Sequence, residues 1–163
     1  MDKTLVKEIM RPSSRTLTAK EDDAIEAAVR HFVHQPDVRT IFVIDEHQKL
    51  KGLVKLHYIL NWVKLKLGLD ISNRSNMRVA GAFQAFEIMR LCQSQTIGDI
   101  LSQAATVKPT DTLEQALHVM VHEQLEEVPV VDETEKLVGE VRLTQLLSRM
   151  LETTQETGSA CQV

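Results

Sequence analysis

The sequence is short of cysteine, glycine, long apolar runs and positive charge, and each shortage removes a class of protein. Two cysteines, Cys92 and Cys161, in 163 residues make no disulfide framework. They read as free thiols in a reducing compartment. Six scattered glycines leave no Gly-rich loop to cradle a phosphate. No apolar run approaches the ~20 residues that a membrane span needs. The opening MDKTLVKEIM holds two acids and little apolar length, so it does not read as a signal peptide, and a cytoplasmic location is expected. The net charge of −4 argues against binding nucleic acid over the whole surface. No Ser/His/Asp or Cys/His grouping has catalytic spacing, so an enzyme is not expected.

What is present is an ordinary globular composition, 43% hydrophobic and 26% charged. The length suits one compact domain or two small ones, burying roughly 70% of the unfolded chain's surface. The chain also repeats itself. DEHQKLKGLVKL begins at Asp45 and DETEKLVGEVRL at Asp132, an offset of 132 − 45 = 87. At that offset Asp45, Glu46, Lys49, Leu50, Gly52, Val54, Leu56 and Leu60 meet Asp132, Glu133, Lys136, Leu137, Gly139, Val141, Leu143 and Leu147. Lys55 meets Arg142. With small slips the match runs upstream, from Ile25, Ala28, Val29 and Phe32 to Leu113, Ala116, Leu117 and Met120, and from Val6, Glu8 and Ile9 to Ile97, Asp99 and Ile100. A whole supersecondary unit is duplicated.

Each copy has the same expected parts. A short helical segment comes first, TLVKEIM or QTIGDIL, then a brief extended piece, RTLT or ATVK. The 3, 1, 3 spacing of Ile25, Ala28, Val29 and Phe32, and of their counterparts, predicts an amphipathic helix. Asp111 or Thr112 can cap the second of these. TIFVID or VPVVD predicts a strand, and a polar turn leads to another. In that second strand Leu50, Gly52, Val54 and Leu56, or Leu137, Gly139, Val141 and Leu143, share one face. The mixed face, with Lys51, Leu53 and Lys55 or Val138, Glu140 and Arg142, is expected to look outward. A helix, HYILNWVKL or TQLLSRML, closes the copy. One copy alone is marginal in size. Two can bury their sheets against each other, and clefts where they meet would suit small ligands.

VKEIMRP, IFVIDEHQKLKGLV and VPVVDETEKLVGEV resemble the repeat of the CBS (cystathionine-β-synthase type) family, whose tandem pairs form Bateman modules. The resemblance covers nearly all of residues 4–60 and 95–151. It implies an α/β fold of two β-α-β-β-α repeats, paired about a pseudo-twofold axis, with small, mostly antiparallel sheets. The implied division is residues 1–60 and 96–151 for the repeats, 61–95 for a helical insert, and 152–163 for a disordered tail. The implied function is non-catalytic: a stand-alone, ligand-sensing regulatory module. Its ligand would be AMP, ADP, ATP, S-adenosylmethionine or another phosphorylated molecule, with no required cofactor. A homodimer and an effector protein in trans are the implied partners.

Nucleotide-binding members end the second strand in Gly-x-x-Ser/Thr-x-x-Asp, the hydroxyl holding phosphate and the Asp the ribose. Here the Ser/Thr positions are Lys55 and Arg142, and the Asp positions are Tyr58 and Gln145. A hydrogen bond to a charged group is worth about 1.5–3 kcal/mol, so losing the Asp weakens binding by about tenfold or more. Gln145 still offers a donor and an acceptor; Tyr58 offers a hydroxyl and a flat ring. Lys55 and Arg142, just before a helix start, suit an anion; equally, they suit solvated strand positions. The resemblance completes the expected ligand site with Thr16, Leu17, Thr40, Val107, Lys108 and Val128.

His118 and His122 stand four apart beside Glu123, and His31 and His34 echo them, but no further ligand type lies nearby. They read as solvated or locally bonded histidines, not metal ligands. Between the copies, NWVKLKLGLD extends a helix, ISNRSNMRVAG reads as a loop, and AFQAFEIMRLC as a helix that packs on the module or makes a dimer contact. TTQETGSACQV is polar and aperiodic, hence the disordered tail.

Overall fold

The computed structural model describes residues 4–67, 90 and 93–158. In chain order its elements are α1 (Val6–Ile9), β1 (Arg11–Pro12), β2 (Thr18–Ala19), α2 (Ile25–His34), β3 (Thr40–Ile44), β4 (Leu50–Lys55), α3 (Leu56–Lys66), α4 (Leu113–Glu123), β5 (Glu127–Val131), β6 (Leu137–Arg142) and α5 (Leu143–Gly158). Short 3-10 turns lie at Ser13–Arg15 and Ile97–Ile100. No helix among the described residues is long and apolar enough to cross a membrane.

The chain forms two compact units, and their composition cuts across the repeats. Unit I holds Met1–Thr16, Glu46–Leu50 and Ala104–Val163; unit II holds Leu17–Asp45 and Lys51–Gln103. Each unit thus joins the main body of one repeat to the leading segment of the other.

Unit II carries a sheet of order β2-β3-β4, with β2 parallel to β3. The helical spacing of the first repeat does what it predicts: Ile25, Ala28 and Phe32 on α2 are buried with Ile41, Val43, Val54, Ile59 and Trp62. Ile97 and Ile100, from the leading segment of the second repeat, complete this core. That segment is fastened by its own backbone. Ala24 bridges Thr96, and Leu53 exchanges two hydrogen bonds with Ser102, at 2.9 and 3.0 Å. The Asp99 carboxylate accepts the Gln95 and Thr96 N–H groups at 2.9 and 3.0 Å, shaping the turn. The indole of Trp62 donates to the Ser94 carbonyl at 3.2 Å.

Unit I repeats the plan with a sheet of order β1-β6-β5. Leu113, Ala116 and Met120 on α4 are buried, as are Val128, Val130, Val141 and Leu146. Thr112 is the cap of α4: its hydroxyl accepts the Gln115 N–H at 3.3 Å, and Gln115 Oε1 accepts the Thr112 N–H at 2.8 Å. Asp111 closes the preceding turn instead, accepting from Lys108 N at 2.7 Å. Here the leading segment comes from the first repeat. Leu5 bridges Thr112, Arg11 faces Glu140, and Pro12 faces Gly139.

This arrangement explains the glycine kept in both copies. A Cβ on Gly139 would strike the Arg11 carbonyl oxygen; one on Gly52 would strike that of Ser102. In each unit the incoming segment lies too close to the strand for any side chain. The duplicated Asp-Glu-x-x-Lys stretch is also explained. Asp132 Oδ1 accepts from Thr134 N, Thr134 Oγ1 and Lys136 N at 2.7, 2.8 and 3.1 Å, closing a tight turn. Its partner hairpin tip joins it in unit I. Leu50 N donates to Glu135 O at 3.1 Å and Leu137 N to Gln48 O at 3.0 Å, a reciprocal pair. Gln48 and Glu135 take the left-handed conformation, with φ of 64° and 65°.

Three expectations change. The mixed face of the second strand looks outward only in part: Lys51 is exposed, but Leu53 and Glu140 are each 1% exposed. Helix α5 runs through Gly158, past the expected start of a disordered tail at residue 152. The extended pieces shrink, to Thr18–Ala19 in one copy and a bridge from Val107 to Val130 in the other. The insert is helical through Lys66, as expected; its proposed loop and nearly all of its second helix, Phe86 included, lie outside the described residues.

Candidate functional site

Both repeats turn from strand into helix at the positions that the sequence singles out, and each turn makes a corner. The corner of unit II is where β4 becomes α3. Lys55 is the residue before the helix, in extended conformation (φ −84°, ψ 146°). Leu56 N donates to Arg39 O at 2.9 Å, which places Thr40 beside Lys55 on the adjacent strand. Thr40 is 3% exposed. Tyr58, in the first turn of α3, lays its ring against His57 at 4.2 Å between centroids, tilted by 34°. Partial burial, then the charge of Lys55, hold the His57 imidazole below its usual range. Leu17 is buried, and its carbonyl accepts from Phe42 N at 3.0 Å.

The corner of unit I is where β6 becomes α5. Leu143 N donates to Glu126 O at 2.8 Å, and the register sets Glu127 opposite Arg142 and Arg11 opposite Glu140. The period of two puts Glu140 and Arg142 on one face, so these four charges meet. Arg142 Nε is 2.9 Å from Glu140 Oε1 and 3.4 Å from Glu127 Oε1. Arg11 Nη1 is 3.3 Å from Glu140 Oε1, and Arg11 Nη2 donates to the Arg15 carbonyl at 3.1 Å. Glu140 and Glu127 are almost wholly buried and Arg142 nearly so, which makes this a desolvated network. The expectation that Arg142 lies on an outward face is corrected by it.

Gln145 Oε1 accepts the Arg142 N–H at 3.1 Å, capping the helix start. Lys108 Nζ is 2.6 Å from Glu133 Oε2, and that contact raises the ammonium pKa above its usual value. The Thr16 hydroxyl donates to Pro12 O at 3.3 Å. Val107 and Val128 are buried backbone-pairing residues, Val107 against Val130 and Val128 against Val141. Unit I therefore gathers Thr16, Val107, Lys108, Val128, Arg142 and Gln145; unit II gathers Leu17, Thr40, Lys55 and Tyr58. Sequence reasoning missed Arg11, Glu127, Glu140 and His57. Its one available signal was Glu140, an acid two residues before a base on a strand. Outside both corners, His118 and His122 are exposed with near-parallel rings 6.4 Å apart, and His122 Nδ1 lies 2.8 Å from Glu123 Oε1.

The family model for the CBS domain matches residues 6–65 and again 97–152. No curated protein matches the chain. Solved structures do. CBSX2 in complex with AMP superposes with a TM-score of 0.74 at 20% identity, over 92% of this chain and 98% of that one. A CBS domain-containing protein from Thermotoga maritima gives 0.69 at 21%, over 93% and 97%. The CBS domain pair of protein MJ0100, in complex with 5′-methylthioadenosine and S-adenosyl-L-methionine, gives 0.63 at 21%, over 91% and 99%. Two matched segments covering most of the chain, on a fold shared end to end with paired modules of that kind, settle the relationship: the chain belongs to the CBS domain family.

Proposed function

We propose that the chain is a regulatory, ligand-sensing module that takes a small adenosine-containing or otherwise phosphorylated molecule. One observation carries the reading: at the Lys55 corner a cation stands directly before the start of α3, with the nearly buried Thr40 beside it on the adjacent strand. The first N–H groups of α3 and its dipole favour an anion. The Tyr58 ring supplies a face on which a base can stack. The ligands of the similar structures, AMP in one and S-adenosyl-L-methionine with 5′-methylthioadenosine in another, fit this chemistry. Occupancy acts by stabilising one shape over another, which a partner protein then reads.

The test is thermal unfolding with AMP, ADP, ATP, S-adenosylmethionine and tripolyphosphate. A ligand at a hundred times its Kd adds about 2.7 kcal/mol, a rise of several degrees at this size. If none of the five moves the transition at millimolar concentration, the reading fails.

A second reading, a ligand-independent association module, is favoured by a different observation. Equivalent apolar residues are exposed in both repeats: Val33 and Leu60 at 70% and 53%, Val121 and Leu147 at 71% and 46%. On this reading two copies cover them. Leu60→Asp or Leu147→Asp then shifts the mass measured by light scattering to the monomer, and an unchanged mass rejects it.

A further inference from the structure

We propose that His118 and His122, on the exposed face of α4, form a two-imidazole site for a divalent transition metal ion, with Glu123 as the residue that positions His122. The site lies outside both corners and stands independently of the ligand-sensing reading.

The helix brings the pair together. Residues four apart lie one turn apart on the same face, the spacing of the two histidines on a zinc-binding helix. Here the rings stand side by side, 6.4 Å between centroids and 11° from parallel. Both side chains are exposed, so a change of rotamer, with no shift of backbone, can turn one lone pair of each ring onto a common point. Imidazole nitrogen suits Zn²⁺, Ni²⁺ and Cu²⁺.

Spacing alone reads as two solvated histidines; the neighbouring carboxylate is what changes that reading. Glu123 Oε1 lies 2.8 Å from Nδ1 of His122. An ionised carboxylate only accepts, so Nδ1 carries the hydrogen and Nε2 keeps its lone pair. A carboxylate behind a histidine is the arrangement that orients a metal-bound imidazole and raises its basicity. Glu114, also exposed, stands one turn before His118 on the same face, so an arriving cation meets negative charge at both ends of the pair. Among the described residues no group of three or more ligating side chains is assembled. Two protein donors leave the other positions to water, so the ion exchanges readily and can take up an outside donor. The site belongs to one repeat: aligned through Phe32 and Met120, His118 and His122 fall on Arg30 and His34, and a cation stands where the first ligand would be.

Isothermal titration of the full, chelator-treated chain with NiCl₂ and ZnCl₂ tests this. Glu123→Ala should lower the affinity by about tenfold, the order of effect of an outer-shell partner, and His118→Ala or His122→Ala by more than that. His34→Ala should leave it unchanged. All three α4 variants should keep the far-UV spectrum and unfolding transition of the metal-free parent, since exposed helical positions accept alanine, so the loss is one of metal binding and not of fold. In NMR spectra, substoichiometric Cu²⁺ should broaden the ring signals of His118 and His122 before those of His31, His34, His47 and His57. An affinity that any one of the three α4 substitutions leaves unchanged, first broadening at other histidines, or no binding of Ni²⁺ or Zn²⁺ at millimolar concentration overturns the proposal.

Discussion

Replacing Gly139 by alanine puts a methyl group onto the carbonyl oxygen of Arg11, and the incoming strand β1 has to lift. Overpacking of this kind costs about 1–3 kcal/mol. Lifting β1 also loosens the backbone pairing of Arg11 with Glu140 and of Pro12 with Gly139, at about 0.5–1.5 kcal/mol per hydrogen bond. Glu140 keeps Arg142, so the buried charge is not stranded. Against this, alanine restricts the unfolded chain and returns about 0.4–1 kcal/mol. The net expectation is a loss of about 2–4 kcal/mol. At this chain length that lowers the melting temperature by about 5–15 °C. Gly52→Ala should behave alike, since its Cβ meets Ser102 O and lies 2.8 Å from Leu101 Cδ1. Gly98→Ala is the internal comparison: its Cβ would lie 3.2 Å from Glu21 O, a contact that a small shift relieves, and it should cost less than about 1 kcal/mol. Urea unfolding followed by the fluorescence of the single tryptophan, Trp62, reports all three. If Gly139→Ala comes within about 0.5 kcal/mol of the parent, the close approach of the exchanged segment is wrong.

Glu140→Ala removes the carboxylate shared by Arg11 and Arg142, leaves Glu127 as the one acid beside the nearly buried Arg142, and should cost about 3–5 kcal/mol, whereas Glu133→Ala, which breaks the exposed pair with Lys108, should leave the urea midpoint close to that of the parent. Equal urea midpoints for the two would refute the burial argument. Thr112→Ala removes the α4 cap and should lower stability by about 1 kcal/mol, while Asp111→Asn, which keeps an oxygen for Lys108 N, should cost less. His57 has a folded-state pKa below its unfolded value of 6.5, so on acidification the unfolded chain takes the proton first. Its contribution is complete above about pH 6.5 and is lost as pH falls through the folded-state value. His57→Gln should flatten stability against pH over that window, and an unchanged slope would reject the assignment.

The repeat, its helices and its fold family were open to reading because they rest on local signals. The spacing of Ile25, Ala28 and Phe32 reports a buried helix face whatever lies beyond it. Pairing is not a local signal. Nothing in VKEIMRP says that its Arg11 lies against Gly139 and Glu140 of the other copy, some 130 residues on. For the same reason Lys55 and Arg142 look alike in sequence and differ in the fold, because their neighbours lie on other strands. Glu140 passed for a solvent-facing residue, since a lone acid on a strand usually is one; Arg142 and Arg11 are what make its burial tolerable. The extension of α5 came from cooperativity. Once Leu143–Leu151 is wound, each further residue of TTQETG adds a hydrogen bond at little cost, whatever its own pattern.

The crossing of leading segments also bears on how such a protein could have arisen. A polypeptide with one repeat carries a segment whose receptor is on another molecule, so it could complete its fold only by pairing with a second copy, and dilution would undo it. Joining two repeats end to end turns that encounter into an event within one molecule, at an effective concentration set by the linker and reaching the millimolar range for short flexible ones. Fusion thus frees the fold from its abundance in the cell. It also frees the two halves to diverge, because a change such as Glu127 and Glu140 in one copy no longer has to appear in the other.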